Sequence, residues 1–389
     1  MTTVEHFEIA VVGGGIAGAS AAWALAQQGH QVVVVEREGS MTAHSTGRSA
    51  AQFLLSYSGP VNRALSAASQ PFLENDADGW ADHRLLVPRA VLWAATDDGD
   101  EQLDAIAAAN QSIDSACERL DGNGARALCP ALDPSWVRGG VVEYGGFDID
   151  VAELHQAFIR SARSANAMLK RHSGVRRLTR RGTGWELETS GSVIRSKIVV
   201  NAAGAWADEI AEMAGAERLG LTPYRRTIFT FASSYDSENW PLVVGADESF
   251  YFKPEGAGQL LGSPADEHAE MPCNAKPREF DIAAGIEAIN RATLLEIRSI
   301  RSAWAGLRTF SPDRDPVVGF DRDVAGFFWC AGQGGTGIQT SPAVAWLTAL
   351  LISPESTGRS DLGSLAPMVS PERFTVAPRP SRPHSQEHN

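Results

Sequence analysis

The segment Gly13-Gly14-Gly15-Ile16-Ala17-Gly18 follows an apolar run, and Glu36 ends a second apolar run further along the chain. Glycines at this spacing have separate physical tasks. Gly13 permits a tight bend, Gly15 lets the backbone approach a pyrophosphate at the N-terminus of a helix, and Gly18 lets that helix pack closely. An acidic residue placed like Glu36 accepts hydrogen bonds from a ribose. The spacing therefore predicts a dinucleotide-binding site.

The elements that must position these residues form a strand–helix–strand unit. The apolar runs 7–12 and 32–35 predict the two strands, and the alanine-rich residues 21–26 predict the helix between them. The hydroxyl-rich loop 41–52 follows this unit. In a doubly wound sheet such a loop leaves near the carboxyl ends of the strands, where ligands lie. We therefore expect loop 41–52 to contact a polar ligand.

A second glycine-dense turn, residues 332–337, lies late in the chain between the apolar run 326–331 and an apolar helix. Its bare N–H groups are suited to a second part of the same cofactor. The small residues 201–206 follow another buried strand and should lie on the same sheet. Four separate segments are thus expected to meet around one ligand.

Length and composition describe an ordinary two-domain globular protein of 389 residues with a formal net charge of −13. This charge disfavours nucleic acids and anionic membranes as partners. The four cysteines lack metal-ligand spacing and are typical of reduced residues in a cytoplasmic enzyme. The short acidic start predicts no signal peptide, and the apolar stretch 344–352 is too short to span a bilayer. The tail 376–389 is predicted to be disordered.

The middle of the chain predicts further elements. Residues 97–128 have a helical pattern, and the run 193–200 ends as a buried strand. Runs 227–231, 249–253 and 259–262 have the β-forming residues of antiparallel strands, which we assign to a second domain.

These motifs together resemble the D-amino-acid oxidase superfamily of flavoenzymes. Within it, the strings 44–51, 247–251 and 304–308 are most similar to FAD-dependent D-arginine dehydrogenases. The resemblance implies an α/β fold with a Rossmann-like FAD-binding domain of the glutathione-reductase type. It also implies a second, α+β substrate domain built on an antiparallel sheet. The expected boundaries are 1–80, 141–210 and 312–375 for the FAD-binding domain, and 81–140 and 211–311 for the substrate domain.

The resemblance implies that FAD is the cofactor. It is expected to be held noncovalently, because Ser311 lies just after the Gly-Leu-Arg string, where some relatives attach flavin to a cysteine. The residues expected to contact FAD are Gly13, Gly15, Ala17, Gly18, Glu36, Arg37, Ser45, Thr46, Gly47, Arg48, Ser49, Ala50, Ala51, Gln52, Val175, Gly204, Trp206, Gln333, Gly334, Gly335, Thr336, Gly337 and Ile338.

Four side chains are predicted to bind and orient an amino-acid substrate. Arg308 can form a bidentate fork with a carboxylate. Arg225 and Arg226 are neighbours on a predicted strand, so only one of them can face the site, and the resemblance places Arg226 there. Tyr251 projects away from its two phenylalanine neighbours, and Tyr57 matches a second active-site tyrosine of the family. Solvated arginines and a core tyrosine are the alternatives.

The predicted substrate pocket departs from D-arginine dehydrogenase. Gln52 stands at a histidine position, Leu54 at a threonine position and Val91 at the glutamate position that would pair with a guanidinium. An arginine side chain buried without a partner is costly, so cationic substrates should be disfavoured. Pocket residues are predicted to be Gln52, Leu54, Val91, Leu242, Val244 and Gly334, with ordinary core packing as the alternative for Leu242 and Val244.

The sequence thus favours oxidative deamination of a neutral, hydrophobic D-amino acid to an imino acid, and then to a 2-oxo acid and ammonia. One alternative is the oxidation of a secondary amine, such as an N-methyl or cyclic amino acid. A second is a flavin-binding protein without amino-acid turnover. The expected partners are a small substrate and an unidentified electron acceptor, and the sequence predicts neither oxygen reactivity nor oligomeric state.

Overall fold

A computed structural model of the protein describes residues 4–75, 80–113, 115–256, 258–356 and 360–374. The predicted tail 376–389 lies outside the described residues. The strands, in chain order, are β1 (Val4–His6), β2 (Ile9–Val12), β3 (Val32–Val35), β4 (Gln52–Phe53), β5 (Leu86–Pro88), β6 (Val91–Ala95), β7 (Cys117–Asp121), β8 (Gly139–Glu143), β9 (Phe147–Ile149), β10 (Met168–Lys170), β11 (Val175–Arg181), β12 (Gly184–Thr189), β13 (Val193–Ser196), β14 (Ile198–Asn201), β15 (Thr222–Ala232), β16 (Leu242–Gly245), β17 (Tyr251–Pro254), β18 (Gln259–Ser263), β19 (His268–Ala269), β20 (Ser302–Phe310), β21 (Val317–Phe320) and β22 (Phe327–Ala331).

The α-helices are shorter than a membrane span. They are α1 (Ile16–Gln27), α2 (Pro60–Glu74), α3 (Asp100–Gln111), α4 (Gly122–Leu128), α5 (Val151–Ser164), α6 (Ala207–Ala214), α7 (Glu279–Ala292), α8 (Ser341–Ile352) and α9 (Ala366–Val369). Within the described ranges, no helix has the length and apolar character needed to cross a bilayer.

A six-stranded sheet carries the glycine turns, with the strand order β10-β3-β2-β14-β22-β21. All neighbours are parallel except β21, which pairs antiparallel with β22. Helices α1, α5 and α8 pack on one face, where Leu25, Phe158 and Leu347 are fully buried. On the other face, a cluster of buried apolar side chains includes Trp185 and Trp329. Because both faces are buried, these strands are continuous apolar runs.

A nine-stranded sheet forms the second large layer. Its order is β19-β15-β18-β17-β16-β6-β8-β7, and β20 pairs along β15. Most pairs are antiparallel, while β16 and β6 run parallel. One face packs on α7 through Phe229, Phe252 and Ile289. Side chains of the opposite face line a cavity. The fold class predicted from the sequence is confirmed.

Two predicted elements differ in the structure. The prediction that residues 97–128 are helical throughout is wrong. The segment contains α3, the strand β7 and α4. β7 is the edge strand of the large sheet and bonds to β8, so sheet pairing overrides the local periodicity. The run 193–200 breaks at Lys197 into β13 and β14, which belong to different sheets.

The division into two domains stays a prediction. The six-stranded sheet draws its strands from residues 9–35, 168–170, 198–201 and 317–331, and the nine-stranded sheet draws from 91–143 and 222–310. β8 (Gly139–Glu143) crosses the predicted boundary at 141 and belongs to the larger sheet.

Candidate cofactor and substrate site

The turn after β2 can be built only with glycine at two positions. Gly13 has a φ of +104°, and a Cβ atom there would lie 2.4 Å from the carbonyl oxygen of Ala202 on the neighbouring strand connection. A Cβ atom on Gly18 would lie 1.9 Å from the carbonyl oxygen of Gly13. α1 therefore starts directly against the strand end. The Ile16 amide at its start donates to Thr46 Oγ1 at 3.0 Å. The N-terminus of a helix is a place where an anion is stabilised.

Glu36 is held in place by the same turn. Its Oε2 atom accepts a hydrogen bond from the Gly14 amide at 2.8 Å, and its Oε1 atom accepts one from the Glu38 amide at 2.8 Å. Each carboxylate oxygen has a further lone pair. The fixed carboxylate can therefore still accept hydrogen bonds from ribose hydroxyls.

A first cavity opens beside Glu36 and reaches Trp206. The Arg37 guanidinium lies 4.3 Å from the centre of the Trp206 ring, and the His44 ring packs at 4.7 Å on the same indole. All three residues line the cavity, so that Trp206 adds an aromatic ring of a type against which a purine can pack. The predicted residues that line it are Gly13, Gly15, Glu36, Arg37, Ser45, Thr46, Val175, Gly204 and Trp206.

A second cavity continues from the first, with which it shares Gly15 and Ser45. Loop 41–52 forms one wall of this cavity and is hydrogen-bonded to β20. The Ser45 hydroxyl donates to the Leu307 carbonyl at 2.6 Å, and Arg48 donates to the Ala305 carbonyl at 3.0 Å. The predicted residues that line it are Gly15, Ala17, Ser45, Thr46, Arg48, Ser49, Ala50, Gly204, Arg226, Arg308, Gln333, Gly334, Gly335, Gly337 and Ile338.

A third cavity shares Arg226 and Arg308 with the second. The predicted residues that line it are Ser49, Ala50, Ala51, Gln52, Leu54, Tyr57, Val91, Arg226, Leu242, Val244, Tyr251, Arg308, Gly335 and Ile338. The three cavities thus form a continuous path from Glu36 to the two arginines. Such a path suits an elongated dinucleotide followed by a small substrate.

Four residues differ in position from the contacts with cofactor or substrate that the sequence predicted for them. Neither Gly18 nor Gly47 lines a cavity described above. Both allow close backbone packing, and a Cβ atom on Gly47 would lie 2.3 Å from the Thr42 carbonyl oxygen. The Thr336 hydroxyl lies 2.7 Å from Asn62 Oδ1 and connects the glycine turn to α2. Gly334 lines the second cavity and not the third, because it packs against the Phe310 ring.

Strand register explains why the two arginines meet. Arg226 on β15 lies opposite Gly306 on β20, and Tyr224 lies opposite Arg308. Arg226 and Arg308 are therefore diagonal neighbours on one face of the sheet. Arg225 points to the other face, where it is buried and forms ion pairs with Glu270 and Asp281.

The pair formed by Arg226 and Arg308 concentrates positive charge. Among the described residues, neither guanidinium forms an ion pair, and Arg226 Nε is buried without a hydrogen-bond partner. Burial and the neighbouring charge of Arg308 lower the pKa of Arg226. A bound carboxylate would offset one of the two positive charges and accept hydrogen bonds from the free N–H groups.

The two tyrosines lie beside the arginines. Arg308 Nη1 lies 3.4 Å from the Tyr57 hydroxyl, to which it donates a long hydrogen bond. The Tyr251 hydroxyl is buried and has no hydrogen-bond partner among the described residues. A buried hydroxyl left unpaired is costly, so Tyr251 is suited to bind a ligand oxygen.

The rest of the third cavity is mostly apolar. Leu54, Val91, Leu242 and Val244 form one cluster with Tyr251. Gln52 adds an amide, whose Nε2 atom donates to the Arg89 carbonyl at 3.3 Å and whose Oε1 atom is buried without a partner in the described chain.

Five polar residues at or near the third cavity were not predicted from the sequence: Trp93, Glu143, Glu248, Lys253 and Gln339. Trp93 and Lys253 line this cavity. Glu143 lies opposite Val91 in the strand register, but it is 1% exposed, and both oxygens accept hydrogen bonds, from Ser56 at 2.5 Å and from Trp93 at 2.6 Å. Period-two alternation from Val91 and Tyr251 would have indicated Trp93 and Lys253.

A parallel sheet with a glycine turn, joined through cavities to a large mixed sheet, is typical of dinucleotide-dependent oxidoreductases. The family described as FAD dependent oxidoreductase (DAO) matches residues 8–351, and the chain belongs to this family.

Several characterised proteins are similar to the chain. The hydrogen cyanide synthase subunit HcnC of Pseudomonas aeruginosa is 26% identical over 95% of the chain and 98% of its own length. Glycine oxidase of Geobacillus kaustophilus is 25% identical over 91% and 94%. Its crystal structure has a TM-score of 0.79, with 22% identity over 91% of this chain and 96% of that one. Human mitochondrial dimethylglycine dehydrogenase is 26% identical over 85% of the chain and 40% of its own length.

The cofactor of this family is FAD, and the residues present fit it. The glycine turn, Glu36 and the cavity path supply a pyrophosphate site, a ribose acceptor and space for an extended ligand. The finer resemblance to D-arginine dehydrogenase and the contact role of each residue stay predictions.

We expect FAD to be released in soluble form when the protein is precipitated with acid. Of the described residues that line the second and third cavities, none is a cysteine or histidine that could attach the isoalloxazine. The Ser311 hydroxyl donates instead to the Asp315 carbonyl. Absorbance of the supernatant checks this, and yellow colour kept in the pellet would show a covalent bond.

His155 should make stability pH-dependent. Its buried Nε2 atom donates to the Gly14 carbonyl at 2.8 Å, and burial lowers the pKa of the ring despite this hydrogen bond and the nearby charge of Glu36. As the pH falls through about 6.5, the unfolded chain binds a proton that the native ring resists. The free energy of unfolding should therefore fall by up to about 1.4 kcal/mol per pH unit below that value.

Urea unfolding of the wild type and His155→Gln, at about pH 7.5 and about pH 5.5, measures the contribution of His155 to the free energy of unfolding. Glutamine keeps an N–H donor for Gly14 but does not titrate. Other titrating groups are common to both proteins, so the stability advantage of the wild type should shrink in acid. An advantage of equal size at both pH values would contradict the assignment.

Proposed function

We propose that the protein oxidises the α-amine of a neutral, hydrophobic D-amino acid to an imino acid, which hydrolyses to a 2-oxo acid and ammonia. The observation that carries this proposal is the pair Arg226 and Arg308. Two guanidiniums lie side by side at the end of the cofactor path, without a carboxylate partner in the described chain. A substrate carboxylate is the ligand that completes such a site.

In the proposed reaction, FAD supplies the acceptor for the hydride that leaves the α-carbon. The protein residues bind and orient the substrate. Arg308 and Arg226 would hold the carboxylate, and Tyr251 would donate its free hydroxyl to one carboxylate oxygen. Fixing one end of the substrate in this way limits the positions that the α-carbon can take.

The apolar cluster around Val91 supports a neutral side chain. Val91 is fully buried, and the nearest carboxylate in register, Glu143, is already bonded on both oxygens. Glu248 also lines the cavity, but it is exposed. A guanidinium held against Val91 would therefore lose its hydration without gaining Glu143 as a partner. The D configuration rests on the resemblance of loop 44–51 and strand β20 to D-arginine dehydrogenases.

The substitution Val91→Glu should shift specificity towards D-arginine. A carboxylate at this buried position needs a cationic partner, so the ratio of kcat/KM for D-arginine to that for D-leucine should rise about 10²-fold. Steady-state kinetics measures the ratio. The matched control is Val91→Gln, which has a similar shape without charge and should raise the ratio much less. Equal ratios in both variants would contradict the proposed role of Val91.

A second candidate is the oxidation of a secondary or tertiary amine that carries a carboxylate. The similarity to dimethylglycine dehydrogenase, whose named substrate is an N-methylated amino acid, favours it. The carboxylate site would be the same, and only the amine substituents would differ. Ammonia as the product supports the first candidate. A primary amine from a secondary-amine substrate, or a secondary amine from a tertiary one, supports the second.

Anaerobic bleaching of the flavin absorbance tests the proposal directly. The panel contains D-amino acids, their L-enantiomers and N-methyl amino acids. Bleaching by neutral D-amino acids but not by D-arginine is the expected result. Bleaching only by L-amino acids or N-methyl amino acids would overturn the substrate assignment, and no bleaching by any amine would favour a flavin protein without amino-acid turnover.

A further inference from the structure

Lys253 is a buried cation on the wall of the third cavity. It follows Tyr251 by two residues on β17, so both side chains project from the same face of the sheet. The residue is 5% exposed and lines the cavity with Tyr251 and Leu242. A lysine so deeply buried needs a charge partner.

Asp148 supplies that partner, but only in part. Lys253 Nζ donates to Asp148 Oδ1 at 2.6 Å, and Arg89 Nε donates to Asp148 Oδ2 at 2.8 Å. Two cations thus share one carboxylate, which leaves the three-residue cluster with a net charge of +1. An ammonium has three N–H donors, and Asp148 is the one partner of Lys253 in the described chain.

The position of Lys253 separates it from the arginine pair. Lys253 lies opposite Leu261 on β18, and Leu261 lies opposite Thr230 on β15. Arg226 is two same-face positions before Thr230 on that strand. On the other side of β17, the register places Lys253 beside Leu242, which lies opposite Val91. The cavity face therefore has cations at two places, with apolar side chains next to the second.

We propose that Lys253 binds a hydrogen-bond acceptor at the distal end of the substrate side chain, either an amide carbonyl or a carboxylate. The preferred substrate then has an apolar stem against Leu242 and Val91 and an acceptor at its tip. An amide tip keeps the side chain neutral, as proposed above, whereas a carboxylate tip would replace the neutral side chain with an anionic one. This inference rests on the proposed function for the α-carboxylate, which Arg226 and Arg308 hold.

Ligand binding tests the inference without turnover. The holoprotein is titrated with succinate, glutarate and adipate, with butyrate, pentanoate and hexanoate, and with glutaramate, and Kd is read from the change in the flavin spectrum. At least one dicarboxylate should bind about 10-fold more tightly than the monocarboxylate of equal length. Glutaramate separates the two acceptors, since tight binding of it shows that a neutral carbonyl suffices.

Variants assign the preference to Lys253. Lys253→Met should abolish the preference while the affinity for the monocarboxylate stays the same within about threefold. This change leaves Arg89 and Asp148 as a neutral ion pair, so the cluster is not left with an unpaired charge. Lys253→Arg should keep the preference. Lys197→Met, a change at an exposed lysine, should have no effect.

Three results would overturn the inference. The first is equal binding of dicarboxylates and monocarboxylates by the wild type, and the second is a preference that survives in Lys253→Met. The third is the absence of binding by any carboxylate, which would contradict the arginine site as well. Failure of the proposed oxidation is a separate result, since it appears only in the bleaching experiment.

Discussion

Replacing Arg308 with leucine should lower kcat/KM for the best amino-acid substrate about 10²- to 10³-fold. Arg308 presents a planar fork of N–H donors to the third cavity, and its neighbour Arg226 is left with a free Nε atom. Without Arg308, the substrate carboxylate would lose a bidentate, charge-assisted contact in a site largely shielded from water. The measurement is the rate of anaerobic flavin reduction against substrate concentration.

Two controls separate this role from a structural one. Arg308→Lys keeps the charge but loses the fork, so its activity should lie between those of the wild type and the leucine variant. Arg298→Leu changes an exposed arginine, with 85% of its side chain accessible, and should leave kcat/KM unaltered. Each variant must keep its flavin absorbance. Activity of Arg308→Leu within about threefold of the wild type would show that this arginine does not bind the substrate.

Gly13→Ala should abolish FAD binding and destabilise the fold by about 3 kcal/mol or more. Two separate costs add at this position. The φ of +104° is strained for any residue with a Cβ atom, and that atom would overlap the Ala202 carbonyl oxygen at 2.4 Å. Relief of the overlap would separate β2 from β14, which are hydrogen-bonded neighbours. Flavin content after purification and the midpoint of thermal unfolding measure the two effects.

Gly29 provides the matched control. Its φ is +86°, but an added Cβ atom would meet nothing within 4 Å. Gly29→Ala should therefore cost only about 1 kcal/mol, which is the backbone term alone, and keep its flavin. If both variants lose flavin equally, the contact with Ala202 is not the reason that residue 13 is a glycine.

Much of the cofactor end of the site could be predicted from the sequence, because it depends on short-range features. The turn at Gly13, the helix α1 and the strand that ends at Glu36 lie within one continuous segment, and their order along the chain sets their order in space. The late glycine turn was also placed correctly beside this unit, since β22 is a buried apolar strand that pairs with β14 in the same sheet.

The substrate end was less predictable. Alternation along β17 places Lys253 on the same face as Tyr251. Only the register of the nine-stranded sheet brings Glu143 opposite Val91 and places β17 beside them. Gly334 was predicted at the substrate pocket, yet the Phe310 ring directs it towards the second cavity. Contacts between strands that are distant in sequence leave no mark on local composition.

The sequence by itself predicted the dinucleotide turn and Glu36 as a candidate ribose acceptor, because residue type and local spacing are sufficient for these. The family resemblance was needed to choose Arg226 over Arg225. The tertiary structure alone decided which side chains share the cavity wall and which charges are already neutralised. In the structure, Arg225 forms an ion pair with Glu270. Both carboxylate oxygens of Glu143 accept hydrogen bonds, from Ser56 and Trp93. Lys253 and Arg89 both form ion pairs with Asp148. The physical reason is that the attraction between two charges depends on their distance in space. That distance is set by the pairing of strands that are remote in sequence.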